Sequence, residues 1–171
     1  MTTVRGGVRA AVRRQIKDVR ARLAGVVIPR PFSIEAFRAQ LARDRGRPLH
    51  LHVLPTPSGE GEACGMWLAT ADADHVFHAR GTSPMHELNI ILHEIGHMLC
   101  DHVGAGPAGT PASLFPLLDP AMVQRVLMRT RYSTPEEEAA ELMAALILEQ
   151  VGWPRSTAGL RGPKGELHDL L

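Results

Sequence analysis

The chain has 171 residues, 44 % of them hydrophobic and 4 % aromatic, which suits one buried core and a single domain rather than several. Two cysteines are too few for a disulfide scaffold, no apolar run approaches the ~18 residues of a membrane span, and the opening Met-Thr-Thr-Val-Arg-Gly-Gly lacks the apolar segment of a secretory signal. The expectation is a cytoplasmic protein with Cys64 and Cys100 reduced. The net charge of +1 conceals an asymmetry, because residues 1–47 hold twelve Lys/Arg against three acids and the remainder seven against fifteen.

Most of that excess lies in Val8 to Val27, where Val8, Val12, Ile16, Val19, Leu23 and Val26 trace an apolar stripe through Arg9, Arg13, Arg14, Arg20 and Arg22. This predicts a basic amphipathic helix within an N-terminal arm over residues 1–30. It can dock on the core, face a protein partner, or touch nucleic acid or membrane. No helix-turn-helix or zinc-finger module accompanies it, so sequence-specific DNA reading is not expected.

Residues 31–153 read as the main domain. Ser33 to Arg45 predicts a helix capped by Ser33, with Ile34, Phe37 and Leu41 on one face. Pro48 to Pro55 alternates apolar and polar residues, as a strand with His50 and His52 on one face would. Met66 to Thr70 and His75 to Ala79 read as a hairpin turned by Asp72 and Asp74, with His75 and His78 on the open sheet face. The order implies an α+β fold: a small, mostly antiparallel three-stranded sheet packed on a helical bundle, with Asp74 to Arg80 as its edge strand.

The most informative stretch follows: His93-Glu94-Ile95-Gly96-His97, inside a helix expected over residues 84–103. Ser83 and Pro84 supply a cap and a first-turn proline, and Gly104, Gly106 and Pro107 close the far end. Histidines four apart on a helix stand one above the other and can grip one ion. Glu94, one residue after the first of them, is placed to act as a general base rather than a ligand. Ile90, Ile91, Leu92, Ile95, Met98 and Leu99 make the surroundings apolar.

A catalytic zinc site wants a third protein ligand. The extended motif of metzincin-type peptidases has a third histidine ten residues after the first; that position here is Val103, and His102 misses it by one, so that pattern is not met. Asp101 is expected to support an imidazole at most, and Cys100 to be a buried thiol. After a loop from Gly104 to Pro116, Thr134 to Gln150 predicts a second helix, opened by a Thr134/Glu137 capping box and stopped by Gly152. Its stripe is Ala139, Leu142, Met143, Leu146 and Ile147. Glu136 and Glu137 are accounted for by the helix dipole. Glu138 and Glu141 border the stripe, and the spacing leaves both open as the third ligand. Residues 154–171 read as a loose tail.

The pair of segments, His-Glu-Ile-Gly-His at 93–97 and Glu-Ala-Ala-Glu-Leu-Met-Ala-Ala-Leu-Ile from Glu138, resembles the ImmA/IrrE-type metallopeptidases. Their hallmark is H-E-x-G-H on one helix and E-A-N-x-F-A-x-x-L-L on the next; Ala140 stands here for the Asn and Leu142 for the Phe. The resemblance implies a zincin-like fold, one Zn2+ per chain held by His93, His97 and Glu138, and Glu94 as the catalytic glutamate. It further implies a regulatory peptidase whose protein substrate is a helix-turn-helix repressor, in some relatives within toxin–antitoxin or phage-derived modules. Tyr132, the one tyrosine, is the candidate oxyanion stabiliser. The alternative from another class is a zinc-containing module that docks a transcription regulator without cutting it.

Overall fold

The computed structural model describes residues 3–53, 65–69, 72–79, 83–102, 127–128 and 132–153. The expected loop at Gly104–Pro116 and the tail from residue 154 lie outside them. Among these residues, four helices, α1 (Thr3–Ala24), α2 (Ile34–Arg45), α3 (Pro84–Leu99) and α4 (Thr134–Gln150), accompany a sheet of β1 (Leu49–Val53), β2 (Gly65–Ala69), β3 (Asp74–His78) and the two-residue β4 (Leu127–Met128). The class is α+β. None of these helices is long and apolar enough to cross a membrane.

The strand order is β1-β3-β2-β4, and β1 runs parallel to β3 while β2 is antiparallel to both β3 and β4. The sheet is therefore mixed, with two of its three pairings antiparallel and one parallel. The expected β2–β3 hairpin forms, with Trp67 opposite Val76. The edge expected at Asp74 to Arg80 is instead the interior of the sheet, because β1 takes the second side of β3. A buried polar knot holds it there. Asp74, fully buried, meets Arg45 Nε at 2.9 Å and Arg47 Nε at 3.3 Å. It also accepts from Trp67 Nε1 at 3.1 Å, and its backbone N–H donates to Pro48 O at 2.9 Å. Asp74, expected in a turn, thus ties the α2–β1 junction to the strand it begins. Removing one partner of such a buried ion pair costs on the order of 3–5 kcal/mol.

One sheet face carries Leu49, Trp67 and Val76 into the core with Leu92, Ile95 and Met98 of α3 and Met143 and Ile147 of α4. Each fully buried side chain of this kind contributes about 1.5–3 kcal/mol relative to exposure. The Ser33 and Ser83 hydroxyls accept from Ala36 N and His86 N, capping α2 and α3 as the sequence indicates. α1 docks through Ile16, Val19 and Leu23, and Arg22 Nη1 donates to Leu99 O at 3.1 Å. Gln15 Nε2 donates to Pro135 O, so α1 holds the end of α3 and the start of α4 together.

The other face carries His50, His52, His75 and Phe77 in register. His78 instead shares the inner face, pairing through Nδ1 with Glu87 Oε1 at 3.2 Å. His75 is buried, and its imidazole is pushed down from 6.5 to about 4, by burial first and then by His52 and His50. A histidine held neutral in the fold but titrating near 6.5 when unfolded takes up a proton on unfolding, so acid favours the unfolded state. Stability is therefore expected to be lost as pH falls from 6.5 toward about 4. Thermal melting across that window checks this: the midpoint falls steadily in the wild type and more shallowly in His75→Asn, whereas identical slopes would contradict the assignment.

Candidate metal centre

α3 supplies His93 and His97 one turn apart, and their Nε2 atoms lie 3.0 Å from each other. The Glu137 Oε2 atom of α4 stands 3.1 Å from His93 Nε2 and 3.6 Å from His97 Nε2. These three form a group of ligand atoms that could hold a metal ion. Tetrahedral zinc with bonds of about 2.0–2.1 Å has ligand–ligand edges of about 3.3–3.4 Å. Edges of 3.0, 3.1 and 3.6 Å bracket that value, so the donors present fit such an ion without rearrangement of the helices. The ion's identity is not part of that geometry.

The carboxylate brought to the imidazoles is thus Glu137, not Glu138. Glu138 lines the cavity between α1 and α4 with Gln15, Asp18 and Arg22, and Glu141 is exposed. Two local features set the shift. The helix is capped one residue earlier than expected, by Ser133, whose N–H and hydroxyl donate to Glu136 Oε2 at 2.8 and 2.9 Å. Glu136, not Glu137, is therefore spent on the capping box. The second feature is Gly96, where an added Cβ would lie 2.7 Å from Ala140 O. Backbone approach this close needs small residues, so α4 turns Ala140 and Ala144 to α3, both buried, and Glu137 falls on the same line three residues before Ala140.

His97 is buried and, besides the site itself, is held by two neighbours. Its Nδ1 lies 2.9 Å from His102 Nδ1, and the Tyr132 ring stacks on its imidazole at a centroid distance of 3.4 Å and 15°. A proton on Nδ1 shared with His102 leaves the Nε2 lone pair directed at the metal position. The supporting role expected of Asp101 is therefore filled by His102. α3 ends at Leu99, Asp101 takes the left-handed conformation with φ 52°, and its carboxylate pairs with Arg22 at 3.1 Å. The turn carries Asp101 outward and His102 back. Cys100 is free and buried, and burial pushes its thiol up.

Glu94 is 6 % exposed and faces β2 rather than α4. A Cβ on Gly65 would lie 2.8 Å from Glu94 Oε1, so the glycine makes room for the carboxyl, and the backbone N–H of Trp67 donates to it. Its Oε2 is buried with no hydrogen-bond partner. Burial, then the Glu137 carboxylate, push the Glu94 carboxyl up to about 8, and the Trp67 N–H opposes them. A dication between the histidines acts in the opposite direction, stabilising both carboxylates.

No family model, curated protein or solved structure matches the chain.

Sequence reasoning missed Glu137 and the part played by His102. The signal for the first was present in Gly96 and the Ala139-Ala140 and Ala144-Ala145 pairs, which mark a close helix crossing better than the leucines do. Gly96→Ala is expected to force α3 and α4 apart, at about 1–3 kcal/mol or more because the facing group is backbone. Thermal melting and zinc titration of the variant should show a lower midpoint and weaker binding together; unchanged zinc affinity would contradict the role given to this contact.

Proposed function

We propose that the protein is a zinc-dependent peptidase in which His93, His97 and Glu137 hold the ion and Glu94 is the general acid–base. The observation that supports this best is the pairing of an open three-donor site with a buried carboxyl that belongs to neither ligand set nor salt bridge. Structural zinc sites are four-coordinate and closed and have no use for such a group. Zinc, when bound, supplies a Lewis acid and lowers the pKa of water toward about 7.

The chain's own residues do the rest. Glu94 takes a proton from the attacking water through Oε2 and returns it to the leaving amine, while Trp67 N–H keeps its carboxyl oriented. Ile90, packed with Glu94 against Gly65, shields the Glu94 carboxyl from solvent. Tyr132, stacked on His97, is the candidate donor to the oxygen on which charge develops. β4 pairs with β2 only at Leu68 and Ala69, so among the described residues Gly65 to Trp67 is the backbone beside Glu94 along which an extended peptide could lie.

A DNA-binding repressor as substrate is supported by the resemblance of the two motif segments, not by the geometry. Incubating the zinc-loaded protein with a degenerate peptide library, read by mass spectrometry, tests the reaction. The wild type is expected to cleave and Glu94→Gln to retain zinc but lose at least about a hundredfold in rate. Undiminished cleavage by Glu94→Gln, or none by the wild type, would overturn the reading.

A further inference from the structure

The sheet face turned away from α3 carries a second group of imidazoles. His50 and His52 of β1 stand in register with His75 and Phe77 of β3. His52 Nε2 lies 2.9 Å from His75 Nδ1, and the His50 ring stacks on that of His75 at 5.2 Å and lies 6.1 Å from that of His52. His52 also stacks on Phe77 at 4.8 Å. Among the described residues this nitrogen pair is the one side-chain hydrogen bond shown by either ring, and no carboxylate or carbonyl holds them.

We propose that His52 and His75, with His50 beside them, form a second transition-metal site that takes Cu2+ foremost. Two imidazole nitrogens facing each other hold one proton between two lone pairs. A metal ion replaces it: the ring that donated moves its proton to its other nitrogen, and both facing nitrogens become ligands with no net change in charge on the rings. Metal–imidazole bonds of about 2.0–2.1 Å at a right angle place adjacent nitrogens about 2.9 Å apart, and right angles are what tetragonal Cu2+ and Ni2+ prefer. The observed 2.9 Å is the length of the N–H···N hydrogen bond, so both nitrogens already stand within reach of one ion, and rotation of the rings would turn their lone pairs toward it. His50 is exposed, and its ring would leave its stack on His75 to reach the pair as a third ligand. An all-imidazole donor set suits copper, which binds most tightly in the divalent series. Burial first, and then the neighbouring histidines, hold both His52 and His75 in the neutral form a metal requires.

The site lies on the opposite face of the sheet from the zinc ligands, so its test is made in a His97→Ala background that removes their competition. Cu2+ titration followed by electron paramagnetic resonance is expected to show one tetragonal ion per chain with nitrogen hyperfine structure. Adding His52→Gln should weaken binding by at least about tenfold and remove that structure. His50→Gln should weaken it less. Because His75 is buried, His75→Asn is interpreted only with a melting curve that shows it folded. Undiminished copper affinity and hyperfine structure after His52→Gln, or no copper bound at micromolar concentration in the His97→Ala protein, would overturn the proposal.

Discussion

The contact on which the rest of the site depends is the approach of Gly96 on α3 to the backbone of Ala140 on α4. With no side chain at 96, the two helices cross close enough that the Ala140 carbonyl stands 2.7 Å from where a Cβ would be. A crossing that tight fixes the rotation of α4 about its axis as well as its distance, since only an alanine line can face it. Ala140, Ala144 and Ile147 lie along that line and are buried. Glu137 is its first member, and so its carboxylate reaches His93 and His97. The neighbouring parts reinforce this register: the Ser133/Glu136 cap fixes where α4 starts, and α1 bonds to Pro135 and Leu99 at the adjoining helix ends.

A second glycine does the same on the opposite flank of α3. Gly65 lets β2 close over Glu94, with Ile90 and Glu94 inside the space a Cβ would need. The two carboxyls of the centre therefore sit in different surroundings. The Glu137 side chain is 47 % exposed and faces imidazoles, whereas Glu94 is buried against a strand. Burial raises the proton affinity of Glu94, and a carboxylate that is neither fully solvated nor a ligand is suited to moving a proton. One helix thus presents its imidazoles to α4 and its acid to β2, with Glu94 about 100° from His93 and about 60° from His97 around its axis.

Much of this was legible in the sequence. The caps at Ser33 and Ser83, the helix that carries His93 and His97, the β2–β3 hairpin and the amphipathic α1 all follow from local patterns, and all form. What the pattern could not supply came from tertiary contacts. Hydrophobic weight placed the leucines of α4 at the centre of its buried face, but close helix approach selects alanine, and the face turns enough to exchange Glu138 for Glu137. Alternation identified β1 as a strand without saying on which side of β3 it would lie; the Arg45–Asp74–Arg47 knot decides that. Helical spacing was carried one turn too far at Asp101, where a left-handed residue ends the helix and delivers His102 to His97 instead.

The central claim is that Glu137, held by the Gly96–Ala140 crossing, completes the ligand set of His93 and His97. Zinc content per chain in the wild type, Glu137→Ala and Glu138→Ala, purified in parallel and measured by elemental analysis, tests it directly. The account predicts one zinc in the wild type and in Glu138→Ala, with loss in Glu137→Ala. Retention in Glu137→Ala with loss in Glu138→Ala would contradict it and return the third ligand to the position that the motif resemblance implies.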